Sequence, residues 1–388
     1  MIAADDFKLG LYVHWPFCQK RCPYCDFNVH EVGLDDPTDQ ARWAAALVSE
    51  LKHFAPQAQG RKLTSIFFGG GTPSLMAPST VAAVIEAAQQ EIGFLNSIEI
   101  TLEANPTSTD ADRFEGYRQA GVNRLSLGVQ SLRDKALLAL GRQHSVAEAL
   151  AALETARAVF DNISFDLMYA RPRQSLSDWT AELDEALALQ PQHISLYQLT
   201  IEPRTIFEQL ARKGVIQPKD EDETADFYLA TRARLEAAGF SGYEVSNHAA
   251  DPAYESRHNR LYWAYQDYIG IGPGAHGRLV TAPGTKTATR QHRAPSVWLD
   301  HVEAQGHATV TEEALSPADC LAEALPFGLR LSEGLPLSHY SALAQAPLNG
   351  PALEKLQGEG LLTLADDVLR VTDDGRPVID ALARYLQS

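Results

Sequence analysis

Short β-branched or aromatic runs recur through the first half of the chain, and each is followed by a stretch with helical periodicity. Strand patterns occupy 9–14, 65–68, 97–103, 124–130, 162–168 and 193–199; helical patterns fill 40–54, 81–92, 111–120, 146–160 and 176–188. This alternation predicts a parallel sheet with right-handed crossovers, because a parallel neighbour is reached only through a long connection, usually a helix. Ser79, Asp110 and Ser145 are placed to cap three of the helices. Six strand–helix units are too few for the eightfold barrel. The fold class expected is α/β, an open partial (β/α)6 barrel.

Three strands alternate in a telling way. Ile98, Ile100 and Leu102 oppose Glu99, Thr101 and Glu103; Leu125, Leu127 and Val129 oppose Ser126, Gly128 and Gln130; Ile163, Phe165 and Leu167 oppose Ser164 and Asp166. One face suits the helix layer and the other is small or polar. A closed barrel fills its interior with branched apolar side chains, so a polar interior marks a lumen for a polar ligand. Glu103, Gln130 and Asp166 fall at or near strand C-terminal ends, where α/β sheets bind ligands. The plainer alternative is three buried polar groups satisfying one another.

Past Pro203 the rhythm fades. Residues 222–238 read as a helix, 240–283 as irregular, and the segments from 311 onward as helix, short hairpin and helix. Three regions are expected: 1–205, the partial barrel with an N-terminal cysteine loop; 206–290, an extension; and 291–388, a smaller, mainly helical, winged-helix-like tail. Residues 311–388 hold twelve Asp/Glu against five Lys/Arg, and the whole chain carries a net charge of −17. That balance opposes a sequence-independent grip on nucleic acid, so the tail is expected to pack or to dock a partner. The first residues lack the basic and apolar regions of a signal peptide, and no run approaches the roughly 18 apolar residues of a membrane span. Few cysteines, clustered as for a metal, fit a reducing cytoplasm.

Cys18, Cys22 and Cys25 crowd into one short loop, and the only other cysteine is the distant Cys320. A disulfide would strand one of the three; three thiolates so close are better explained as ligands of one metal centre. With no fourth cysteine nearby, an iron–sulfur cluster would keep one iron open to a small molecule. A zinc knot completed by His14 or His30 is the alternative. Pro16 and Pro23 stiffen the loop. Gly69-Gly70-Gly71-Thr72-Pro73 ends the second strand, and glycines there let the backbone approach a ligand and offer amides to a carboxylate. Gly272-Pro-Gly274-Ala-His-Gly277 matches a dinucleotide fingerprint literally, but no helix follows it, so a tight packed loop is expected. In His258-Asn259-Arg260-Leu261-Tyr262-Trp263 a histidine stands beside large aromatics, a combination able to ligate heme iron and cover porphyrin faces. For an isolated histidine, a hydrogen-bonded loop residue is the commoner reading.

The Cys-x-x-x-Cys-x-x-Cys spacing, with Tyr24 just before the last cysteine, resembles the signature of the radical S-adenosylmethionine family. The resemblance implies a [4Fe–4S] cluster on Cys18, Cys22 and Cys25, with S-adenosylmethionine chelating the open iron and yielding a 5′-deoxyadenosyl radical on reduction. It further implies cofactor contacts from Tyr12 and Tyr24, from Gly70, Gly71 and Thr72 near the methionine amino group, and from Glu103, Gln130, Arg142 and Asp166. His-Asn-x-x-Tyr-Trp at 258–263 resembles the signature of the HemW heme chaperones, relatives of oxygen-independent coproporphyrinogen III oxidase; the likeness extends to 270–277 and 328–334. It implies heme as a ligand, with His258, Asn259, Tyr262 and Trp263 as candidate contacts. Acceptor haemoproteins, membrane respiratory enzymes among them, are the implied partners, which would bring a cytoplasmic protein to the membrane periphery. Position 27 separates the relatives: the oxidases resemble Cys-x-x-x-Cys-x-x-Cys-x-Cys, and Phe27 stands here instead. Ala170-Arg171-Pro172-Arg173-Gln174 departs from the family's more usual Gly-Leu-Pro-x-Gln; its two arginines are able to attract propionates, and solvated surface charge is the equal alternative. The alternatives are the oxidase activity itself and a zinc-stabilised interaction protein. Monomer and homodimer are both open.

Overall fold

The computed structural model describes residues 7–32, 39–107, 111–282, 284–344 and 348–387. Six strands form where the alternation predicts them: β1 (Leu9–Trp15), β2 (Leu63–Gly70), β3 (Phe94–Ala104), β4 (Arg124–Gln130), β5 (Ile163–Tyr169) and β6 (His193–Gln198). Each pairs in parallel with its predecessor. The crossovers carry α1 (Gln40–Phe54), α2 (Pro78–Glu91), α3 (Phe114–Ala120), α4 (Val146–Val159) and α5 (Leu176–Ala188). Ser145 closes a capping box with Glu148. Helix α2 starts at Pro78, so Ser79 falls inside its first turn rather than at the cap, and Asp110 lies outside the described residues. The apolar strand faces (Ile100, Leu102, Leu125, Leu127, Phe165, Leu167) are buried against Trp43, Leu47, Val84, Leu153 and Trp179 of the helices, which leaves the polar faces to the lumen.

The stretch 240–283, irregular by sequence, is the main departure. After α6 (Glu221–Ala237), β7 (Asn247–Ala249) adds antiparallel to β6. The short helix α7 (Arg257–Trp263) follows, and β8 (Asp267–Ile271) then inserts parallel to β1 at the opposite edge. β9 (His276–Ala282), β10 (Thr285–Gln291) and, beyond α8 (Pro295–Gln305), β11 (Thr309–Ala314) continue antiparallel. The sheet runs β11-β10-β9-β8-β1-β2-β3-β4-β5-β6-β7 and ends on the two-residue strand Ser241–Gly242. All five residues of β8 are buried, so it lacks the period-2 pattern that exposes a half-buried strand. Its Asp267 is buried because Arg61 Nη1 lies 2.8 Å and Lys286 Nζ 3.1 Å from its carboxylate; an unpaired charge there would be prohibitive. The Gly272–Gly277 segment forms the β8–β9 turn and the first two residues of β9. A Cβ on Gly272 (φ +95°) would stand 2.3 Å from the His14 carbonyl oxygen, so the glycine serves close packing against the end of β1, as the packed-loop reading expects.

The tail builds its own core. Helices α9 (Pro317–Arg330), α10 (Leu337–Ala344), α11 (Gly350–Gly358) and α12 (Ile379–Gln387) surround β12 (Leu335–Pro336), β13 (Leu362–Ala365) and β14 (Val368–Val371), an antiparallel sheet in the order β12-β14-β13. Leu325, Leu329, Tyr340, Leu356, Leu369 and Leu382 fill the space between them. The result is a small helical unit closed by a three-stranded antiparallel sheet; residues 311–314, read as the start of a helix, instead lie in β11 of the main sheet. Among the described residues no helix is long and apolar enough to cross a membrane.

Candidate cofactor site and adjoining cavity

Cys18, Cys22 and Cys25 are free thiols that line one cavity of about 390 Å³ beyond the C-terminal ends of the parallel strands. His14 fixes the path of their loop. Its Nε2 lies 2.9 Å from the Asn28 carbonyl oxygen, to which it donates, and its Nδ1, also at 2.9 Å, accepts from the Tyr12 hydroxyl. Burial pushes the His14 pKa down to about 4. With a neutral ring and both nitrogens engaged, His14 cannot complete a zinc knot. Three soft thiols on one loop, lining one cavity, are a donor set that fits a [4Fe–4S] group. Burial and the two neighbouring thiols push Cys18 up to about 12; the free loop holds protons that a metal must displace.

The glycine segment locks that loop in place. The Gly71 amide donates to the Trp15 carbonyl at 2.7 Å and the Thr72 amide to the Phe17 carbonyl at 2.8 Å, while the Gly70 amide donates to the Glu103 carboxylate. The amides expected to await a ligand carboxylate are therefore already used. A backbone so engaged offers carbonyl oxygens, acceptors suited to an amino group. A Cβ on Gly70 (φ +114°) would stand 2.7 Å from the His14 ring, and one on Gly71 2.5 Å from the Phe17 carbonyl oxygen, so no larger residue fits here.

Tyr24, Thr72, Glu103, Gln130, Arg142 and Asp166 line the same cavity. Gln130 has φ +68° and follows a register shift between Leu127 and Gln130; a bulge of this kind re-aims a side chain. Arg142 reaches across, donating from Nη2 to Asn105 Oδ1 (2.5 Å) and the Gly128 carbonyl (2.8 Å), with Nη1 3.6 Å from Cys22 Sγ. The strand alternation missed Asn105, which lies just beyond the end of β3. Burial, and then the Asp166 charge, push Glu103 up to about 8; burial raises Asp166 to about 6, and its Oδ1 has no partner. A raised carboxylate pKa means that the folded chain keeps protons the unfolded chain releases. The stability of cofactor-free protein should therefore fall as pH rises through the window from Glu103's ordinary 4.5 to about 8. Urea midpoints at pH 5 and pH 8 should differ less in Glu103→Gln than in the wild type; equal differences would contradict the assignment.

Tyr12 is the expected contact that does not line this cavity. It belongs to a second cavity of about 430 Å³ with His258, Asn259, Tyr262 and Trp263. The two adjoin, sharing Glu103, Ser126, Asp166 and Tyr197 as walls. Lumen-facing Glu99 positions the motif helix: its carboxylate accepts the Arg257 amide at 3.0 Å and the His258 amide at 3.2 Å, a favourable charge at a helix start. His258 Nδ1 lies 2.8 Å from Ser65 Oγ, its ring stacks on Phe67 at 5.0 Å, and its buried Nε2 has no partner. Burial pushes the His258 pKa down to about 3, so the imidazole is neutral with one nitrogen free. The arginines of the departing loop go elsewhere. Arg171 is buried in an ion pair with Glu182 at 2.5 Å, which corrects its reading as a propionate-binding cation, and Arg173 is exposed on a left-handed turn (φ +64°).

Two family models cover most of this architecture. One, described as "Radical SAM superfamily", matches residues 12–186, and one described as "HemN C-terminal domain" matches residues 315–378. They define the class: a radical S-adenosylmethionine core followed by a HemN-type tail. The chain is 41% identical to "Radical S-adenosyl methionine domain-containing protein 1, mitochondrial" of Bos taurus, over 98% of this chain and 88% of the relative. It is 36% identical to "Heme chaperone HemW" of Escherichia coli (strain K12), over 96% and 97%. The chain belongs to the radical S-adenosylmethionine family that contains these two proteins, and that membership implies a [4Fe–4S] cluster and S-adenosylmethionine. Its fold matches the solved "Coproporphyrinogen III oxidase (HemN) from Escherichia coli" with a TM-score of 0.80 at 22% identity, over 98% of this chain and 90% of that one. At that identity the match concerns the fold alone.

Proposed function

We propose that this chain is a heme chaperone on a radical S-adenosylmethionine scaffold, which takes up heme and passes it to haemoproteins such as membrane respiratory enzymes. The observation that carries the reading is the partnerless, neutral Nε2 of His258 in the second cavity. A neutral imidazole nitrogen would be able to ligate heme iron, and Tyr262 and Phe67 flank it with aromatic surface. The names carried by relatives such as that of Escherichia coli support the same reading. In the first cavity Cys18, Cys22 and Cys25 would hold the cluster, and Gly70–Thr72, Glu103, Gln130, Arg142 and Asp166 would surround S-adenosylmethionine. When bound, these groups supply one-electron chemistry at the open iron. The chain's own part is to hold the thiolates beside the Arg142 guanidinium and to wall the site from water. Three free thiols on one loop suit a reducing compartment such as the cytoplasm, with contact at the membrane only where the acceptor lies there.

One other reading is decarboxylation of coproporphyrinogen III, kept because the tail matches the HemN C-terminal domain model. A single anaerobically reconstituted sample decides between them. Stoichiometric heme binding without coproporphyrinogen turnover is expected; turnover with S-adenosylmethionine and no heme binding would overturn the chaperone reading.

A further inference from the structure

With Arg171 removed as a carboxylate partner, the cations lining the second cavity are Arg124 and Arg330. We infer that Arg330, carried into the cavity by the tail, anchors a carboxylate of the ligand, which on the heme reading above is a porphyrin propionate. Arg124 is already committed. It is 2% exposed, donates to Ser164 Oγ at 3.0 Å and faces the Glu103 and Asp166 carboxylates. Arg330 is not. Its Nη2 makes one contact at the limit of hydrogen bonding, a 3.5 Å ion pair with Glu244, and its buried Nε, like that of Arg124, has no partner. Glu244 takes the Ser246 amide (2.8 Å) and Asn247 Nδ2 (2.5 Å) on Oε1, and its Oε2 faces Arg330 in that long ion pair. Most of the guanidinium's five donors are therefore open, and their planar fork matches a carboxylate.

The same surroundings hold that fork in position. The Arg330 guanidinium carbon lies 4.4 Å from the Trp263 ring centroid, a cation–π contact that fixes the plane, and Phe327 meets Trp263 edge-on at 5.4 Å. Three residues further on, Glu333 pairs with Arg260 of the motif helix, and Ser332 Oγ donates to the Gly242 carbonyl. The 328–334 segment of the tail and the 258–263 motif are thus one interlocked unit. Trp263 positions Arg330 as well as lining the cavity, and the tail is a wall of the ligand site.

Esterification tests this without altering the protein. Wild-type full-length chain, titrated with heme and with heme dimethyl ester, should bind the ester about tenfold more weakly, the scale of a lost charge-assisted hydrogen bond. Arg330→Gln should bring heme affinity down to the ester's and leave ester affinity unchanged, which also shows that the cavity is intact; Arg330→Lys should recover part of the difference. Wild-type heme affinity in Arg330→Gln, or an equal loss for both porphyrins, would overturn the assignment. Failure of the wild type to bind either porphyrin would instead overturn the heme reading, and this inference with it.

Discussion

Replacing Cys22 by serine should reduce the iron and sulfide of anaerobically reconstituted protein to background, with loss of the cluster's visible absorbance. The loop supplies three thiols: His14 is consumed by Tyr12 and Asn28, His30 is hydrogen-bonded to the Arg293 backbone, and Cys320 is buried in a separate apolar cluster with Phe7, Tyr265 and Val280. A serine hydroxyl is a harder donor that releases its proton far less readily than a thiol, and iron–sulfur centres select soft thiolates. Two ligands cannot retain a cluster that already has one open iron. Cys22 also accepts from Arg142 at 3.6 Å, so the change removes the acceptor for that guanidinium as well. Cys320→Ser should leave iron content unchanged. Full iron in Cys22→Ser, or lost iron in Cys320→Ser, would show that the three-ligand assignment is wrong.

Where a local pattern carries the information, the sequence is sufficient. The six parallel strands were legible because each apolar run is followed by a helical pattern, and the two-faced alternation in three of them put Glu103 and Asp166 into the lumen wall they share between the two cavities. The cysteine spacing and the glycine triplet were legible because metal ligation and close backbone approach each demand particular residues. What escaped depends on distant partners. β8 is wholly buried, and nothing local in Asp-Tyr-Ile-Gly-Ile reports that Arg61 and Lys286 will neutralise its aspartate. The glycine amides looked available until the loop they bind was in place. Arg171 looked like a surface cation because its partner Glu182 sits on α5, whereas Arg330 reaches the cavity only through the packing of the tail on α7. The likeness at 328–334 was the one sequence signal that pointed to it.

His258→Ala should abolish tight heme binding, lowering affinity about 100-fold or more, since removing even a group behind a metal ligand costs 10- to 100-fold. The Soret band of any heme still bound should lose its histidine-ligated position. The change also has a structural cost. It empties the space between Phe67 and Tyr262 and strips Ser65 Oγ of its 2.8 Å partner, together worth about 2–4 kcal/mol of stability. Weak binding could therefore reflect a loosened fold rather than a lost ligand, and exogenous imidazole separates the two. The cavity left by the ring is bounded by aromatic faces that accept a free imidazole, which should restore the Soret position in His258→Ala if Nε2 is the ligand. A merely destabilised protein would show no such recovery, and pH offers a second discriminant. Because burial holds the His258 pKa near 3, heme binding by the wild type should be insensitive to protonation of this residue between pH 5 and 8. Wild-type affinity and an unshifted Soret band in His258→Ala would exclude the histidine as ligand.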